Sequence, residues 1–161
     1  MKEYTDFIEF YNVSYSIVQR YNSLFKGLSS NKQIEYIRNN CPKEILNGFY
    51  IIGNISKNIA DEISAKTTIV KFSTDSLIKN LIEHKELDIL EYKNIALYLQ
   101  NAQYILKKSN KNLIYFKINN QIYQFVIKAT KNKEELFITT FHKASYKQLQ
   151  KDIKRYAQIK R

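Results

Sequence analysis

A chain of 161 residues, 44% of them apolar, is the size of one folded domain and too hydrophobic to stay disordered. Its single cysteine, Cys41, excludes an internal disulfide, and no apolar run approaches the roughly 20 residues needed to span a bilayer. The net charge of +11 is unevenly placed: residues 1–40 hold five Lys/Arg against four Asp/Glu, residues 41–100 seven against eight, and residues 101–161 fourteen against three.

A field so concentrated draws polyanions: RNA, DNA or an acidic membrane surface. The opening "MKEYTDFIEFYNV" carries acids early and lacks the continuous apolar stretch of a signal peptide. A cytoplasmic location without membrane insertion is the expectation.

In chain order, Phe7, Phe10, Tyr11, Ser14, Ile17, Val18 and Tyr21 fall at helical spacing and predict a long amphipathic helix to about Lys26. "SNKQ" reads as a capping box, with Ser30 as cap and Gln33 reaching back, opening a helix to about Asn39. Pro42 stops it. A short strand near Tyr50–Ile52 and a compact helix capped by Ser56 follow. "TTIVKF" is β-branched and predicts a strand. Helices are expected from about Asp75 to Glu83 and from about Asp88 to Asn101.

The period then changes to two. "LIYFKIN", "QIYQFVIKAT" and "ELFITTF" predict three strands. Asn119-Asn120 suits a two-residue hairpin turn, because Asn tolerates positive φ. That turn puts Ile114, Phe116 and Ile118 on a core face with Tyr123, Phe125 and Ile127. The opposite face, with Tyr115, Lys117, Gln124 and Lys128, is then open, half polar and cationic. A basic helix closes the chain. The fold class is α+β: N-terminal helices, an antiparallel meander of about four strands, then that helix. Residues 1–45 read as a helical extension and 46–161 as the main domain, packed as one compact unit.

Two histidines 58 positions apart and one cysteine match no zinc spacing, and Gly27, Gly48 and Gly53 are too isolated for a phosphate loop. Neither metal nor cofactor is expected. His142 sits where strand gives way to basic helix, with Thr139 and Thr140 before it and Lys143 after it. A lone strand-end histidine is ordinarily structural. Here imidazole, titrating near pH ~6.5, stands among cations suited to a phosphate. By simple alternation it shares parity with Leu136 and Ile138, so a bulge or the strand's end must turn it outward. His84, at a helix C-terminus, reads first as a dipole partner. In the last helix Lys147, Lys151, Lys154 and Arg155 oppose the apolar stripe and are candidate phosphate contacts.

"FYIIGNISKNIADEISAKTTIVKFSTDSLIKNLIEHKELDILEYKNI", followed by "IYQFVIKATKNKEELFITTFHKAS", resembles the phage-type barnase–EndoU–colicin–RelE-like nucleases. The shared features are a strand ending in Lys-Ala-Thr, a polar turn, and a hydrophobic-Thr-Thr-Phe-His strand. Upstream, His84, Glu86, Leu87 and Tyr92 hold the place of a family histidine–acid–leucine segment. Lys85 stands where the family often has proline. The likeness covers about residues 49–147.

It implies a metal-independent ribonuclease, a prophage- or mobile-element-encoded toxin with a cognate antitoxin or immunity protein. His84, Lys128, Thr140 and His142 would be catalytic. Tyr115, Lys117, Thr139, Lys143 and the four cations of the last helix would bind RNA. Two other readings stay open: a non-catalytic nucleic-acid-binding protein on the same fold, and an interaction module using the aromatic N-terminal helices.

Overall fold

The computed structural model describes residues 2–159. Strand β1 (Glu3–Tyr4) leads into α1 (Phe7–Tyr21), started by Asp6, whose carboxylate accepts the Glu9 amide at 3.1 Å. A 3-10 turn at Asn22–Leu24 ends that helix earlier than its apolar spacing suggests. Helix α2 (Ser30–Asn40) is capped by Ser29 rather than Ser30, and Gln33 donates back to the Leu28 carbonyl. Helix α3 (Lys43–Leu46) follows Pro42, then β2 (Phe49–Asn54). Helix α4 (Lys57–Glu62) is capped by Ser56, and Ser73 at the end of β3 (Ile69–Ser73) caps α5 (Thr74–Glu83). The single helix expected from 88 to 101 is two: α6 (Ile89–Lys93), with an Asp88–Glu91 capping box, and α7 (Ile95–Asn101), broken at Asn94.

Strands β4 (Tyr104–Lys107), β5 (Asn112–Asn119), β6 (Gln121–Ala129) and β7 (Leu136–Ala144) follow, then α8 (Tyr146–Arg155) and β8 (Ala157–Gln158). The architecture is α+β around one mixed sheet of order β1-β2-β3-β7-β6-β5-β4-β8. Pairs β1–β2 and β3–β7 are parallel and the others antiparallel. The sheet is thus larger and more mixed than an antiparallel meander of four strands. Its two halves meet at a narrow seam, where β3 pairs β7 only through Val70↔Leu136 and Lys71↔Phe137.

The β5–β6 hairpin corrects the expected faces. Asn119 pairs with Gln121, leaving Asn120 alone at the tip with φ +57. One residue of slip regroups every side chain. Tyr115 lies opposite Phe125, and Ile114 opposite Val126. Leu113, Tyr115, Tyr123, Phe125 and Ile127 therefore face the main core, with Phe7, Phe10, Leu77, Leu81, Tyr92 and Tyr98 from the helices. The other face is not open either. Leu149 of α8 is buried there against Leu106, Ile114 and Phe116. A second helical layer packs Ile17, Phe25, Ile34, Ile37 and Leu46 against Ile78 and Ile82 of α5.

Residues 1–45 are woven into this core. β1 extends the sheet, and Phe10 is fully buried between Tyr50 and Phe72. No helix among the described residues is long and apolar enough to cross a membrane.

Candidate functional site

Below the seam β3 ends and the edge of β7 passes to α5. Asn80, 2% exposed, does there what a neighbouring strand would do. Its amide nitrogen donates to the Phe141 carbonyl at 2.7 Å, and its oxygen accepts the Phe141 amide at 2.8 Å. The same nitrogen donates to the Tyr92 hydroxyl at 2.7 Å. The Asn80 backbone carbonyl in turn takes the His84 amide at 2.8 Å, closing the last turn of α5. One residue thus fixes the backbone next to His142 and the backbone of His84.

The strand itself supplies the second device. The β6–β7 register shifts between Val126↔Thr140 and Ile127↔Ile138, leaving Thr139 as a bulge. The extra residue reverses parity, so Phe141 rather than His142 joins Leu136 and Ile138 in the core. His142 pairs with Gln124 and stays half-buried. The outcome of both devices is an imidazole pair. The rings of His84 and His142 stack at 4.9 Å between centroids, 23° from parallel.

One nitrogen of the His142 ring is engaged. Nδ1 of His142 lies 3.0 Å from the Lys143 carbonyl. A carbonyl only accepts, so Nδ1 carries the hydrogen, and Nε2 is the atom that gains or loses a proton. Nδ1 of His84 lies 3.7 Å from Glu86 Oε1. Burial pushes the His84 pKa below its usual 6.5, and the charge His142 carries when protonated pushes it the same way, against the pull of Glu86 and Glu83. Burial and the neighbouring ring thus both favour the neutral imidazole of His84.

Glu91 anchors the far side. Its Oε1 accepts the Asp88 amide at 3.0 Å, and its Oε2 accepts the Tyr123 hydroxyl at 2.5 Å and faces the Lys143 ammonium at 3.5 Å. Lys143, whose carbonyl orients His142, is therefore held at its own side-chain end. Desolvation raises the pKa of Tyr123, and its bond to Glu91 adds to that, keeping the phenol protonated.

The remaining sequence candidates scatter. Thr140 stands two positions from His142 on the same side of β7, and Lys143 is adjacent. Lys128 pairs with Phe137, four residues up the strand from the Gln124–His142 pair, which is about 13 Å at roughly 3.3 Å per residue. With Thr139, Lys111 and Lys131 it lines a separate hollow of ≈ 380 Å³. Thr139 donates to the Val126 carbonyl at 3.4 Å and so serves the bulge.

Tyr115 is no stacking platform for RNA. It is fully buried, its ring 4.9 Å from Phe125, because the hairpin slips by one residue. Lys117 lies on the face opposite α8, where its ammonium donates to the Asn101 carbonyl at 3.1 Å. A continuous basic surface joining Lys117 to α8 is thereby ruled out. Lys147, Lys151, Lys154 and Arg155 are exposed along α8, whose one acid, Asp152, is 5% exposed and hydrogen-bonded to Gln148.

Asn80 and Glu91 carry the site and were not anticipated. Asn80 is the polar residue inside "LIKNLIE", at the spacing of the buried stripe Leu77, Leu81, and Glu91 closes the "DILE" capping box. Both signals are in the sequence. Neither shows what the side chain holds across the fold. No family model, curated protein or solved structure matches this chain.

Proposed function

We propose that the protein is a metal-independent endoribonuclease whose acid–base pair is His84 and His142. One observation carries this reading: two imidazoles from distant parts of the chain meet at 4.9 Å. Side by side, each ring reaches one oxygen of a single phosphodiester at a hydrogen-bond distance of roughly 2.6–3.2 Å. His84 accepts the proton of the RNA 2′-hydroxyl. The 2′-oxygen forms a bond to phosphorus, the bond from phosphorus to the 5′-oxygen breaks, and Nε2 of protonated His142 gives its proton to that oxygen. The products are a 2′,3′-cyclic phosphate and a 5′-hydroxyl. The substrate supplies its own nucleophile, so the scheme calls for no metal. Lys79, which acts electrostatically on His84, and Lys85, beside His84 in the same cavity wall, are the cations at hand for the charge that builds on the phosphate.

In this reading the antiparallel run β4–β5–β6–β7 with basic α8 is a barnase–EndoU–colicin–RelE-like nuclease core. The protein is a mobile-element toxin acting on cytoplasmic RNA and restrained by an antitoxin or immunity protein.

The test is cleavage of a labelled RNA by wild type, His84→Ala and His142→Ala. Each substitution is expected to lower the rate by about 10²-fold or more, with RNA binding only modestly weakened. Wild-type activity is expected to persist in EDTA. An unchanged rate in His142→Ala removes that residue from the chemistry. The exposed stripe of α8, which exists independently of the histidines, favours a second reading: a binder without catalysis. Wild type that holds RNA but never cuts it selects that reading.

A further inference from the structure

His84 also forms part of the wall of a cavity of ≈ 250 Å³ on the N-terminal side of the molecule. Tyr11, Tyr15, Val18, Gln19 and Asn22 of α1 and the turn after it make one wall, at positions that fall on one helix stripe. Leu81, Lys85 and Leu87 complete it beside His84. Tyr15 is 46% exposed, yet it is not loose: its ring stacks on buried Tyr11 at 6.0 Å and 15°. A large ring held rigid with one face free is a stacking platform. The amides of Gln19 and Asn22 carry donors and acceptors at the rim, and Lys85 adds a positive charge.

We infer that this cavity seats a nucleobase of the RNA, that of the nucleotide whose 2′-hydroxyl His84 deprotonates. The inference rests on the nuclease reading for the identity of that nucleotide, and on the cavity alone for the binding of a base. Tyr15 stacks on the base face and contributes affinity for any base. Gln19 and Asn22 meet the base edge and discriminate, because a base that covers either amide without pairing it binds worse. Lys85 faces the attached phosphate. The N-terminal helix is thus a specificity element.

The experiment uses four RNA pentamers that differ only in the central base and carry a 2′-deoxy sugar there, which prevents cutting at that position. Affinity is read by fluorescence anisotropy with the full chain. The four wild-type Kd values are expected to spread by about tenfold or more. Tyr15→Ala is expected to weaken all four by about ten- to a hundredfold, the worth of one stacked base. Gln19→Leu should collapse the spread while retaining most of the affinity. Both positions are exposed, so the fold is expected to survive, and circular dichroism checks that it does. Unchanged affinity in Tyr15→Ala, or four equal wild-type Kd values, overturns the inference even if the protein cleaves RNA. A base-dependent Kd lost in Tyr15→Ala keeps the subsite even if no cleavage occurs, in which case only the nuclease reading falls.

Discussion

Asn80→Ala is the most informative single change outside the histidines, because it removes three hydrogen bonds at once. The substitution strips the Phe141 amide, the Phe141 carbonyl and the Tyr92 hydroxyl of partners at 2.7–2.8 Å in a site that is 2% exposed. A buried polar group left without its partner costs about 1–3 kcal/mol. Three of them set a floor of about 3 kcal/mol, and water entering the space vacated by the amide holds the loss near that floor. Urea unfolding followed by circular dichroism at neutral pH measures it as a shift in midpoint with the slope unchanged. Amide hydrogen exchange at Phe141 should accelerate along with it, since that N–H loses its acceptor. A loss below about 1 kcal/mol, with Phe141 still protected, would refute the view that Asn80 substitutes for a strand.

Three further outcomes are expected. The lowered pKa of His84 means the unfolded chain binds this proton more readily, so stability rises with pH between the folded pKa and 6.5 and is flat above. His84→Gln should reduce that slope, measured by denaturation midpoints from pH 5 to 8. Phe10→Ala should cost about 3–5 kcal/mol by denaturant titration, and a chain beginning at residue 46 should show no cooperative transition, since it lacks β1, α1 and α2. If RNA lies on α8, Lys151→Ala should flatten the slope of log affinity against log salt by about 0.7 for a single strand; an unaltered slope places the RNA elsewhere.

Much of the local structure was legible in the sequence, because local structure has local causes. Ser56 caps α4, the stripe from Phe7 to Ile17 marks α1, and the switch to period two marks β5, β6 and β7. The parity conflict at His142 left a bulge or the strand's end to turn it outward, and the bulge at Thr139 does so. What failed was non-local. Asn119-Asn120 fits a two-residue turn, yet the hairpin closes around Asn120 alone, and that slip sent Tyr115 into the core and Lys117 away from α8. β1 and β8 are two residues each, too short for any periodicity, and the parallel β3–β7 pairing leaves no mark in either strand. The histidine pair is of the same kind. Each imidazole was a candidate on its own, but their meeting depends on Asn80, whose partner lies 61 positions away.

The narrow β3–β7 seam has a mechanical consequence. On one side lie β1, β2 and β3, continued by α5 and His84; on the other lie β7, β6, β5, β4 and β8, with His142. Two residue pairs and Asn80 cross this line, joined by the Lys71–Glu135 ion pair at 3.9 Å, the Lys66 amide donating to the Lys133 carbonyl at 2.8 Å, and Tyr92 packed on both Phe72 and Phe141. The two rings part only if the core that Val70 and Phe72 share with Leu136, Ile138 and Phe141 opens with them. Ring separation is therefore a gauge of how tightly the two halves of the sheet close on each other.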